Sequence, residues 1–141
     1  MIAGLSMGGY GAIKAALTAP DTFGACASLS GALDIAEFGK SFISLDEWRS
    51  VFGYDMQSCE ELKNSRHDIF ALAKQFKESG KDFPPLYMWC GTEDGLIGHN
   101  RRFVSLLSEL GVDVKYEESE GNHSWKWWDL HIQDALAFLL K

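Results

Sequence analysis

Three side chains spread along the chain could work as one chemical unit: Ser6, Asp94 and His123. Ser6 lies in Gly4-Leu5-Ser6-Met7-Gly8, which fits the G-x-S-x-G nucleophile elbow, a sharp strand-to-helix turn that exposes the serine hydroxyl above a sheet. The turn holds its serine in a strained backbone conformation, and only small neighbours let strand and helix approach so closely. A serine hydroxyl becomes a strong nucleophile when a base takes its proton, and the base needs an acid to orient it. His123, in Glu120-Gly121-Asn122-His123-Ser124, fits the base; Asp94, in Gly91-Thr92-Glu93-Asp94, fits the acid, with Glu93 as the alternative. The backbone N–H of Met7, next to the serine, could meet the oxyanion that acyl transfer creates.

Such a set works only if a sheet brings it together. Met1-Ile2-Ala3 reads as the end of a strand, and Gly9 to Leu17 as a small-residue helix that packs tightly on a sheet. Phe23 to Leu29 reads as a buried strand ended by Ser30-Gly31. Leu86 to Cys90 is the clearest strand and Gly91 ends it; Val112 to Tyr116 alternates and reads as a strand nearer the sheet edge. Helices fall between them. Asp68 is placed to cap one with apolar Ile69, Leu72, Ala73 and Phe76; Phe103, Leu106, Leu107 and Leu110 form a second stripe that Gly111 stops; Trp125 to Leu140 forms the last. Alternating strands and helices imply an α/β fold, a parallel sheet of about four strands with flanking helices. In that arrangement the elbow, the turn after residue 90 and the loop holding His123 all open at one sheet edge.

Residues 32–67 are the least regular part, with short helices expected at 32–36 and 45–52. They read either as a small cap over the site or as an excursion that covers core. Leu96 and Trp125 are candidate pocket walls. The cluster of Trp125, Trp127 and Trp128 otherwise reads as core packing, with at least one of the three expected to wall the site beside His123, and His67, His99 and His131 read as surface or capping residues.

The chain of 141 residues suits one domain, and its 46% apolar and 23% charged residues are ordinary for a globular protein. A net charge of −7 argues against nucleic acid or an anionic membrane as partner. No apolar run is long enough for a membrane span, and no signal-peptide pattern is visible. Cys26, Cys59 and Cys90 form no metal or redox motif; Cys26 and Cys90 lie in strand-like runs and read as buried thiols. A reducing cytoplasm is the expected location, with no metal or organic cofactor.

Gly4-Leu5-Ser6-Met7-Gly8-Gly9-Tyr10-Gly11-Ala12, then Trp89-Cys90-Gly91-Thr92-Glu93-Asp94, then Gly121-Asn122-His123-Ser124-Trp125-Lys126-Trp127-Trp128-Asp129 together resemble the esterase D branch of the α/β-hydrolases. That branch includes tributyrin-type and acetyl esterases, S-formylglutathione hydrolases, acetyl xylan and feruloyl esterases, and mycolyltransferases. The tributyrin and acetyl esterase group matches best. The resemblance implies Ser6 as nucleophile, Asp94 as acid, His123 as base, and hydrolysis of short-chain acyl esters through an acyl-enzyme. Thioester hydrolysis or acyl transfer by the same triad is the alternative within that family. The chain departs from the family pattern at Gly95, often a larger residue, and at Ser124, often acidic.

The family fold has several strands before the elbow, and the second oxyanion donor normally comes from a loop among them. The resemblance thus implies the C-terminal half of an α/β-hydrolase fold. Two expectations follow: a homo-oligomer that covers the face where the other half would lie, and, as a rival to catalysis, a module that serves only in assembly or binding.

Overall fold

A computed structural model describes every residue except Tyr54 and, for Phe42, the backbone alone. The elements alternate as expected: β1 (Ile2–Leu5), α1 (Met7–Thr18), β2 (Cys26–Leu29), α2 (Ile35–Phe42), α3 (Leu45–Phe52), a 3-10 turn at Cys59–Leu62, α4 (Ile69–Glu78), β3 (Leu86–Gly91), α5 (Ile97–Glu109), β4 (Lys115–Ser119) and α6 (Trp125–Leu139). The four strands form one sheet in the order β1-β2-β3-β4, and every pair is parallel.

The period of two along the strands divides the core between the two faces. Cys26, Leu86 and Met88 pack with Ile13, Leu17, Phe103 and Leu107 on the face covered by α1, α4 and α5. Ala27, Leu29, Tyr87 and Trp89 pack with Trp128, Ala135 and Leu139 of α6 on the other. Both central strands are buried throughout, as expected for parallel strands covered on both sides. The three cysteines are free and buried, and burial pushes the Cys26 and Cys90 thiols up to about 12.

Two strand boundaries differ from the sequence reading. β2 starts at Cys26 rather than Phe23, because turns follow α1: Thr22 and Phe23 both donate to the carbonyl of Ala19. The last strand runs Lys115–Ser119 rather than 112–116. Val112 is drawn into the stop of α5 instead. Its N–H donates to Leu107 at 2.8 Å and that of Gly111 to Ser108 at 3.0 Å, with Gly111 at φ 66°, the double bond pattern of a helix ended by a left-handed residue.

The segment 32–67 both builds core and reaches the site. Leu33, Ile35, Ala36, Trp48, Met56, Cys59 and Leu62 join the larger core cluster. Ser44 and Glu47 form a capping box that starts α3, and the Trp48 indole N–H donates to the carbonyl of Ile35 at 3.2 Å, tying α3 to α2.

Candidate active site

The elbow begins as a problem of space. A Cβ built on Gly4 would lie 2.1 Å from the carbonyl oxygen of Gly8, so any larger residue would push α1 off β1. Ser6, at the joint, sits at φ 53° and ψ −123°, a region that a non-glycine residue occupies only under constraint. The surroundings supply it: Ser6 N–H donates to Leu29 across the sheet at 3.0 Å, and its carbonyl accepts from Gly9 and Ala32, each at 3.0 Å. Met7 follows as the first residue of α1. Its N–H is among the donors that a helix start leaves without an intrahelical partner, at the positive end of the helix dipole.

Asp94 follows β3 in a turn that it shapes itself. Its carboxylate accepts from Leu96 N–H at 2.8 Å, and its carbonyl from Ile97 N–H at 3.1 Å, which starts α5. The carboxylate also takes both contacts to His123 Nδ1, at 2.9 and 3.1 Å. Burial pushes its acidity toward the neutral form, but hydrogen bonds from His123, Leu96 N–H and Ser30 outweigh that and hold the carboxyl below its usual range.

His123 completes the line. Its Nε2 lies 2.9 Å from Ser6 Oγ, across 117 residues of sequence. With Nδ1 facing a carboxylate, the proton belongs there, which leaves Nε2 to accept from the serine hydroxyl. The Trp128 ring meets the imidazole edge-on at 4.8 Å, and its indole N–H is anchored on Ser30 Oγ at 3.1 Å.

Glu93, the alternative acid, faces elsewhere. Its carboxylate accepts from Gly121 N–H at 2.6 Å, and Gly121 O accepts from Glu93 N–H at 2.9 Å. That bond to Gly121 holds the Glu93 carboxyl below its usual range. Glu93 thus fastens the loop that carries His123 to the loop that carries Asp94. Gly91 makes the same contact possible, since a Cβ there would lie 2.1 Å from Gly121 O.

A cavity of about 220 Å³ adjoins this line, walled by Phe38, Asp94, Gly95, Leu96 and His123. Leu96, a candidate wall from the sequence, lines this cavity. Trp125 is not among the residues that line this cavity: it is 72% exposed and meets Trp128 edge-on with ring centroids 5.4 Å apart. The histidines also need correction. His99 is buried and its Nδ1 accepts from Asp34 N–H at 3.2 Å. His131 stacks on Trp89 with ring centroids 4.0 Å apart and shares a hydrogen bond with Ser119 Oγ. His131 and His67, the latter beside Lys14, are both half-buried and stay near the surface, so the correction falls on His99. Trp128 is the member of the tryptophan cluster that stands beside His123, while Phe38 and Ser30 were missed as site residues. Nothing in their local sequence marks them, because each reaches the site through tertiary packing.

The comparisons with known proteins agree with this architecture. The Esterase family model matches residues 1–139. An acetyl esterase from Caldicellulosiruptor saccharolyticus is 37% identical over 147 residues, covering 99% of this chain and 54% of that protein. The S-formylglutathione hydrolase of Staphylococcus aureus is 30% identical with a TM-score of 0.87, over 99% of this chain and 54% of that one. The fluorophosphonate-binding serine hydrolase F of the same organism gives 31% and 0.89, over 99% and 53%. The chain thus spans about half the length of these relatives. Its four parallel strands and flanking helices are an α/β-hydrolase arrangement, and the chain belongs to the Esterase family.

Proposed function

We propose that this chain hydrolyses short-chain acyl esters of the acetyl type, with Ser6 as nucleophile, His123 as base and Asp94 as the orienting acid. The observation that carries the reading is the unbroken line Asp94–His123–Ser6, with contacts of 2.9 Å at both joints. Ser6 Oγ attacks the ester carbonyl carbon while its proton passes to His123 Nε2. Asp94 stabilises the imidazolium that results. Met7 N–H donates to the carbonyl oxygen as it becomes an oxyanion. The intermediate collapses, the alkoxide leaves with the proton from His123, and the acyl group stays on Ser6. A water, deprotonated by the same imidazole, then releases the acid and restores the serine. The imidazole must be neutral for the first step to begin.

One oxyanion donor is assigned here, and a missing second donor lowers rates by about 10²- to 10³-fold in other systems. The test is hydrolysis of p-nitrophenyl acetate by the purified chain with Ser6→Ala as blank. Turnover that disappears in Ser6→Ala supports the reading. Equal background rates in both would leave a fold that serves only in assembly or binding.

A second reading, thioester hydrolysis, is favoured by the 30% identity to an S-formylglutathione hydrolase. Matched oxygen and thioester substrates decide between the two.

A further inference from the structure

We propose that Phe38 is the specificity-determining wall of this site, and that buried His99 is the positioning residue that sets where the wall stands. The inference rests on the esterase reading above and names the part of the substrate that the cavity takes: one apolar arm of the ester.

The cavity has few polar groups free to meet a ligand. Asp94 is engaged by His123 and by Leu96 N–H, which leaves Phe38, Leu96, Gly95 and the His123 imidazole as the walls, with Phe38 and Leu96 the two apolar side chains among them. Its 220 Å³ equals about seven waters at roughly 30 Å³ each, below the approximately 300–1,000 Å³ of sites for drug-sized ligands. An apolar lining of that size beside a nucleophile suits a short hydrocarbon chain and excludes a long one.

Of the two apolar walls, Leu96 is fixed, being 2% exposed and locked in the turn that Asp94 makes. Phe38 rides on α2, in the segment outside the sheet, so its place depends on what holds that helix. Asp34 caps α2, accepting from Glu37 N–H at 3.1 Å. The N–H of Asp34 itself donates to His99 Nδ1 at 3.2 Å, and its carboxylate accepts from Arg102 at 3.1 Å. His99 also meets the Phe38 ring at right angles, 6.5 Å between centroids. His99 and Arg102 both stand on α5, which begins one residue after Leu96. One helix therefore follows directly from the fixed wall and fastens the N-terminus of the helix that carries the other, through His99 and Arg102 on Asp34, while Trp48 holds the same helix from its far side through the Ile35 carbonyl and the Phe38 ring.

That bond requires an imidazole with a lone pair on Nδ1. Burial, aided by the Arg102 charge, lowers the proton affinity of His99 despite the opposing charges of Asp34, Glu37 and Asp94. A ring buried to 6% exposure is thus kept as an acceptor, which a merely space-filling residue would not need.

The experiment compares two substrate series: p-nitrophenyl esters lengthened from acetyl to octanoyl, and acetate esters of alcohols lengthened from methyl to octyl. Phe38→Ala should raise the ratio of kcat/KM for long over short chains by about tenfold or more in one of the series, the scale expected for a methylene-sized pocket change. Phe38→Trp should lower it in the same series. His99→Leu should shift the same ratio as Phe38→Ala, chiefly through KM, and His99→Asn, which can still accept from Asp34 N–H, should restore it. The series that responds identifies the arm. Unchanged ratios in both series for Phe38→Ala would overturn the proposal, as would equal ratios for His99→Leu and His99→Asn. Binding of ethyl hexanoate and hexyl acetate to the Ser6→Ala protein, read by saturation-transfer NMR, needs no turnover. Loss of that binding with Phe38→Trp supports the wall even where the esterase reading fails, and binding indifferent to Phe38→Trp sinks it.

Discussion

A carboxylate with no exposed side-chain surface, as in Asp94, stays charged only because three donors reach it. Removing the charge while keeping the shape isolates its role. Asp94→Asn can stabilise the wrong imidazole tautomer and cannot stabilise the imidazolium, so activity should fall on the order of 10³- to 10⁴-fold with the fold retained; steady-state kinetics beside circular dichroism checks this. Protonation has its own consequence for stability. The native Asp94 pKa is depressed, so the stability it contributes is present above its unfolded value and lost as pH falls through the native one. His99 titrates in a different window. Its proton affinity, like that of His67, is lowered in the native state, so the unfolded chain binds more protons below the ordinary histidine value of about 6.5. Stability should therefore decline as pH drops from neutral through that value, and level off below the native pKa. Urea midpoints measured from neutral to about pH 5 should fall less in His99→Asn than in the parent chain.

Among the elements, the sharpest constraint lies where loops touch backbone to backbone. The Cβ of Gly91→Ala would meet the carbonyl of Gly121, and that obstacle is main chain rather than a side chain that can swing away. This variant should lose at least about 1–3 kcal/mol of stability, read by chemical denaturation, and should lose activity more steeply because the same contact holds His123 near Asp94. Elements with strong local signals were legible in the sequence: the Gly-x-Ser-x-Gly turn, the apolar run ending β3, and α3, found at Leu45–Phe52 where its spacing put it. The line Ser6–His123–Asp94 was legible too, because each member sits in a turn after a strand. What the sequence concealed was set by partners distant in the chain. β4 begins later than its alternation suggests because Val112 is claimed by the end of α5. His99 looks like a surface histidine until Asp34, 65 residues away, donates to it. Phe38 looks like one apolar position among several until α2 docks beside Leu96.

For the molecule as a whole, the two sheet edges differ. β4 carries Lys115, Glu117 and Glu118, paired within the strand and with Arg101, the kind of charged edge that discourages further pairing. β1 is apolar, half-covered, and hydrogen-bonded along its length to β2. Beside it, Met1, Ile2, Ala3, Leu136, Leu139 and Leu140 line a depression of about 190 Å³, with Met1 59% and Leu140 71% exposed. We propose that this face takes a second copy, related by a two-fold axis that would run the two β1 strands antiparallel. Light scattering should give the mass of at least two chains, and Leu136→Glu should shift it toward one; a single-chain mass for the parent protein would count against self-association. The span of the proposed site has a consequence for folding. Ser6 and His123 stand 117 residues apart in sequence, in loops after the first strand and the last, so their contact waits until all three parallel pairings have formed. The nucleophile, made by a local turn, can be present long before its base arrives. In a refolding chain, helix content would return first, and reactivity at Ser6 would mark the moment when the last strand and its loop have docked.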